Sequence, residues 1–167
     1  MTTDSDLTAL TARLTPAQIV GLTIWGEARG STPALHRAIA SVIANRVTAQ
    51  HTRWGLTPEA VCLKPLQFSC WTPKGGAKNY AAMIAMAEAV ADDPKIVMRD
   101  TMRNFILDCI ELYGDPVVAG VWQDTVHGAT HYYAPAAMVP KTRVPAWAVG
   151  LEPAAVIDGT RFYAGVQ

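Results

Sequence analysis

Charge of one sign is what this 167-residue chain most plainly lacks: 14 basic and 14 acidic residues cancel, and only 17% of residues are charged. No basic patch is forced, which argues against a nucleic-acid binder drawn to phosphates at long range. Cysteine is scarce too. Cys62, Cys70 and Cys109 show no CxxC spacing, so several disulfides are excluded and buried thiols are expected. Long apolar runs are missing, and nothing approaches the ~18–20 residues that span a bilayer, so no membrane insertion is expected. The start, Met1 to Asp6, has neither the basic region nor the apolar run of a secretory signal, and synthesis in the cytoplasm is expected. There is no repeat, low-complexity tract or linker to mark a domain boundary. Residues 1–14 read as a polar tail, frayed or weakly helical, and 15–167 as one domain.

Half of the residues are hydrophobic, enough for a core at this length. Thr15-Pro16-Ala17-Gln18 starts a helix over about 16–29 with a capping box and proline at the first helical position, and Gly30 stops it. Thr32-Pro33 starts a second over about 33–48, with Leu35, Ile39, Val42 and Arg46 on one face. Thr57-Pro58 starts a short third. Leu66 to Trp71 alternates as a strand does, and Thr72-Pro73-Lys74-Gly75-Gly76 closes it with turn residues. Further helices are expected over about 77–91 and 96–112, the latter closed by Gly114. His131-Tyr132-Tyr133 and 156–163 read as strands, with Asp158-Gly159 as a turn inside the second. The pattern is an α+β, helix-dominated domain with a few short strands.

Within the first helix Val20, Ile24 and Glu27 fall at i, i+4 and i+7, so a carboxylate shares a stripe with residues that belong inside. Partial burial raises a carboxyl pKa, the property a general acid needs near neutral pH. The plain alternative is a helix-end Glu that escapes to water or pairs with Arg29. Three more clusters stand out: Gln67-Phe68-Ser69-Cys70-Trp71, Asp124-Thr125 with Gly128 to Pro135, and Pro145-Ala146-Trp147. Aromatic faces beside amide and hydroxyl donors suit carbohydrate, though small-core packing produces the same residues. His127 and His131 have the i, i+4 spacing of two zinc ligands, but Gly128 and the β-rich residues after it argue against a helix there. No basic residue near Cys70 in sequence lowers its pKa for nucleophilic work.

Trp25-Gly26-Glu27-Ala28-Arg29-Gly30, Ile43-Ala44-Asn45-Arg46-Val47, Gln67 to Trp71 and Gly128-Ala129-Thr130-His131-Tyr132-Tyr133 occur here in the order and near the spacing seen in one family. Over about residues 18–147 the chain resembles the spore-cortex-lytic (SleB-like) cell-wall hydrolases, which also occur in proteobacteria and as phage lysis enzymes. The resemblance implies a lysozyme-like or lytic-transglycosylase-like fold and a glycosidase that cleaves between N-acetylmuramic acid and N-acetylglucosamine in peptidoglycan glycan strands. It implies Glu27 as the single essential acid. The substrate-binding residues expected beside it are Gln67, Ser69, Trp71, Thr125, Thr130, His131, Tyr132 and Trp147, with no cofactor, no metal and a monomeric enzyme. Residues 72–98 carry no motif of the family, and Arg161 stands where many relatives have His. The missing signal suggests an endolysin freed through a membrane lesion, or a particle-borne lysin. Asp115, Asp124 and Asp158 are the acids available as a second carboxylate, but each reads as a cap or turn residue. A lone acid favours transglycosylation, which forms a 1,6-anhydro ring, over muramidase-type hydrolysis. The competing readings are a zinc amidase and a non-catalytic wall-binding or virion structural module.

Overall fold

The computed structural model describes residues 4–73, 77–92 and 101–166. Its elements in chain order are α1 Asp4–Thr11, α2 Pro16–Ala28, α3 Pro33–Thr48, α4 Pro58–Leu63, α5 Ala77–Asp92, α6 Thr101–Asp108, a π-helical segment Cys109–Gly114 and α7 Asp115–Val118. Three short strands follow, β1 His131–Tyr133, β2 Ala155–Ile157 and β3 Thr160–Tyr163. They form an antiparallel sheet in the order β1-β3-β2. The architecture is α+β and helix-rich, as expected.

The Thr-Pro starts act as read. Thr15 and Gln18 complete a reciprocal capping box on α2, while Thr32 and Thr57 cap α3 and α4 through their side chains. α2 runs through the core, with Val20, Leu22 and Ile24 wholly buried, and α3 packs beside it through Ile39, Val42 and Ile43. The stretch expected as a frayed or weakly helical tail contains α1, and Leu10 in that helix and Leu14 just after it lie in the main core. Arg13 adds an exposed ion pair to Asp92 at the end of α5.

Two local expectations change. Gly114 does not end a helix. It keeps helical dihedrals, and a Cβ there would sit 2.4 Å from the Ala17 carbonyl oxygen, so its role is to let the π segment lie against α2. The start of the expected 96–112 helix falls outside the described residues. Leu66 to Trp71 is not a strand: Leu66 turns with φ 66° and Ser69–Trp71 forms a 3₁₀ turn. Its polar groups go to α2 instead of to a neighbouring strand. The Cys70 amide donates to Glu27, and the Trp71 indole donates to Thr23 Oγ1 at 2.9 Å.

The expected hairpin is present. Asp158 and Gly159 both have positive φ (49° and 73°), as a two-residue type I′ turn requires. Successive β1 residues face opposite ways. Tyr132 stacks with Phe162 toward the main core, whereas Tyr133 joins Tyr163, Ala148 and Val166 in a satellite cluster beneath Trp147. That split puts one phenol next to the end of α2.

Candidate active site

The last turn of α2 carries Glu27 to the floor of an open cleft of about 620 Å³. Three donors hold its carboxylate. Ser69 Oγ (3.1 Å) and the Cys70 backbone N–H (2.9 Å) donate to Oε1, and the Tyr132 hydroxyl donates to Oε2 at 2.8 Å. Arg29 is not its partner, because that guanidinium lies 3.9 Å over the Trp25 ring. The Cys70 contact depends on the residue beside the acid. A Cβ on Gly26 would lie 2.6 Å from Cys70 Cβ and 3.1 Å from Met83 Sδ, so only glycine lets the 3₁₀ turn come close enough.

Among the described residues that line the cleft, Glu27 is the one acid. The other carboxylates considered are engaged elsewhere. Asp124 accepts from Asn45 Nδ2 (3.2 Å) and from the amides of Val126 and Gly128. Asp158 accepts from the Thr32 hydroxyl at 2.6 Å, tying the hairpin turn to the start of α3. Asp115 opens α7.

Of the residues expected to meet substrate, Gln67, Ser69, His131, Tyr132 and Trp147 join Glu27 in the cleft lining. Three do not. Trp71 is a core residue, 5% exposed and bonded to Thr23. Thr125 pairs with Ser41 Oγ at 3.0 Å, where its own amide and the Trp122 indole also converge, and so docks the loop before β1 onto α3. Thr130 belongs to the same docking: its amide donates to Tyr163 and its carbonyl accepts from Arg46 Nε at 2.8 Å.

Arg46, Arg53, Trp54, Leu66 and Thr72 also line the cleft and were not singled out. Arg46 left a trace in the sequence as the one cation on the buried stripe of α3. It is 5% exposed, its Nη1 has no hydrogen-bond partner, and its guanidinium lies 5.1 Å from the Phe68 ring. Burial lowers its pKa, opposed by Tyr132, Cys62 and Glu27.

The same electrostatics sort the other groups. Burial and the adjacent Glu27 hold both the Tyr132 phenol and the Cys70 thiol well above their ordinary pKa values. Tyr132 is therefore a neutral donor and Cys70 an inert thiol. Cys62 and Cys109 are free and buried too, each pushed up to about 12 mainly by desolvation. Burial and the nearby Arg46 and Arg53 push His131 down to about 4. It is a neutral ring at neutral pH, 5.0 Å from Trp147 and 5.9 Å from Trp54, with Nδ1 on Thr130 Oγ1. His127 is exposed on the loop before it, and no three His, Cys, Asp or Glu side chains cluster among the described residues.

The cell wall hydrolase family model matches residues 33–163, most of the chain. The chain belongs to that family. The matched span holds the cleft from Arg46 through Trp147 but opens six residues after Glu27, whose candidacy thus rests on the geometry above. Among solved structures, the catalytic domain of the Bacillus cereus SleB protein is similar, at 21% identity and TM-score 0.49 over 88% of each chain. Comparison with curated proteins gives no match. Family membership supports a peptidoglycan-cleaving hydrolase with peptidoglycan as the substrate.

Proposed function

We propose that this hydrolase cleaves the N-acetylmuramic acid–N-acetylglucosamine bond of murein with Glu27 as its single acid and base, by lytic transglycosylation. The observation that carries the reading is one acid, fixed by three donors, in a cleft whose lining offers no second carboxylate among the described residues. A retaining pair needs a partner at ~5–5.5 Å and an inverting pair one at ~6.5–9.5 Å.

The two carboxyl oxygens differ in chemistry. Oε1 accepts from a backbone N–H, which can only donate, so the transferable proton belongs on Oε2. There the Tyr132 hydroxyl can rotate from donor to acceptor as the proton comes and goes. The proton passes to the glycosidic oxygen, the bond from the muramic C1 breaks, and the N-acetylglucosamine hydroxyl departs. The substrate's own N-acetyl group stabilises the cation. Glu27, now a carboxylate, takes the proton of the muramic 6-hydroxyl as that oxygen closes on C1. The acid is restored, and the product is a 1,6-anhydro ring.

Trp147 and His131 supply flat faces for sugar rings, and Gln67 supplies amide hydrogen bonds at the rim. Mass spectrometry of digested murein tests the reaction type. Anhydro-muropeptides are expected, and reducing-end products alone would establish a muramidase instead.

A further inference from the structure

Leu66 stands out from every other apolar side chain at the cleft. Gln67 N donates to the Lys64 carbonyl at 3.1 Å, closing a turn with Pro65 in its second position and Leu66 in its third. Leu66 has φ 66°, the conformation that a type II turn asks of glycine or asparagine at that position. A bulky residue with positive φ is an outlier and costs stability unless its surroundings enforce it. Packing does not offset that cost here, because Leu66 is 83% exposed. Single exposed leucines are ordinary and strained ones are not. This one lines the cleft that holds Glu27, sharing it with Trp54 and Trp147.

From these observations we infer that Leu66 is a substrate-contacting, specificity-determining residue, held out from the turn to meet the apolar face of a bound sugar ring or its N-acetyl methyl group. Strain at a ligand contact is a known use of such conformations, and the turn here aims the side chain where glycine would leave a gap. The inference rests on the murein reading for the identity of its ligand, whereas the strain is a property of the free protein.

The test replaces Leu66 in a Glu27→Gln background, so that no turnover intervenes, and titrates soluble glycan fragments released from murein. Leu66→Asn and Leu66→Gly both suit positive φ. They should melt no lower than the background, with Leu66→Asn higher by roughly 2–4 °C, yet bind the fragments ~3–10-fold more weakly. Leu66→Met, which restores apolar reach, should recover binding without the gain in melting temperature. Unchanged binding in the Asn and Gly variants would overturn the inference, as would a clear fall in melting temperature in both, which would make Leu66 a folding residue. A background protein that binds no fragment would overturn the murein reading, and the ligand assigned to Leu66 with it.

Discussion

Three donors converge on each of two carboxylates, Glu27 and Asp124, and the two sites have opposite uses. Two of the three Asp124 donors are local, since Val126 and Gly128 lie in its own loop, and only Asn45 reaches over from α3. Burial works to raise its pKa, but those hydrogen bonds and the charge of His127 prevail and hold it below the usual carboxylate range. At neutral pH it is a charged peg for the loop. The Glu27 donors are Ser69, Cys70 and Tyr132, at separations of 42, 43 and 105 residues, and the acid borders open space. A carboxylate bound by its own loop serves the loop. One gathered from distant segments at the edge of a cleft can exchange a proton with a ligand.

Exchanging the two acids for amides should separate these roles most sharply. Glu27→Gln is expected to remove turbidity loss on cell walls by at least ~10³-fold with an unchanged melting temperature. Appreciable clearing by that variant would take Glu27 out of the mechanism. Next in size is Gly26→Ala. In an ordinary helix this change adds up to about 1 kcal/mol. Here the new methyl meets Cys70 and Met83, so overpacking of about 1–3 kcal/mol and a ~10²-fold loss of activity are expected, read by calorimetry and by clearing rate. A gain in stability with full activity would show that the close approach of the 3₁₀ turn is dispensable.

Tyr132→Phe keeps the stack on Phe162 but removes one donor from Glu27, and roughly a 10-fold fall in kcat should follow with little change in KM. The smallest effect belongs to Asp124→Asn. It should leave kcat alone and lower the melting temperature by a few degrees at most, since Asp124 is largely exposed and its interactions are screened. Its pKa is lower folded than unfolded, so the stability it confers is present above the unfolded value and lost as pH falls through the folded one. The wild-type chain should therefore lose that increment below roughly pH 4, and the Asn variant should show none of it.

How much was legible in the sequence follows the same division between local and distant. The Thr-Pro caps set the starts of α2, α3 and α4, and Asp158-Gly159 set the hairpin, because each signal is satisfied within four residues. The acid on the buried stripe of α2 was legible for the same reason. Leu66 to Trp71 alternates like a strand but is not one, because its hydrogen-bond partners lie on α2, and alternation says nothing about a partner more than forty residues away. Trp71, Thr125 and Thr130 looked like ligand contacts since aromatic and hydroxyl side chains suit a sugar and a tight core alike. The structure places all three outside the cleft lining, with the Trp71 indole bonded to Thr23, the Thr125 hydroxyl to Ser41 and the Thr130 hydroxyl to His131 Nδ1. Arg46 was read as part of the scaffold stripe, and it lines the cleft as well.

The clasp between Thr32 and Asp158 joins residues 126 positions apart, and β1, which presents Tyr132, pairs along its length with β3. Contacts of such long range form late, since closing the intervening chain costs entropy before any bond is made. The helix that carries Glu27 is closed by local bonds, whereas its bond from Tyr132 is expected late in folding, once β1 has paired with β3. The acid's helix and the acid's setting thus belong to different stages of folding, with a delay between them written into the topology.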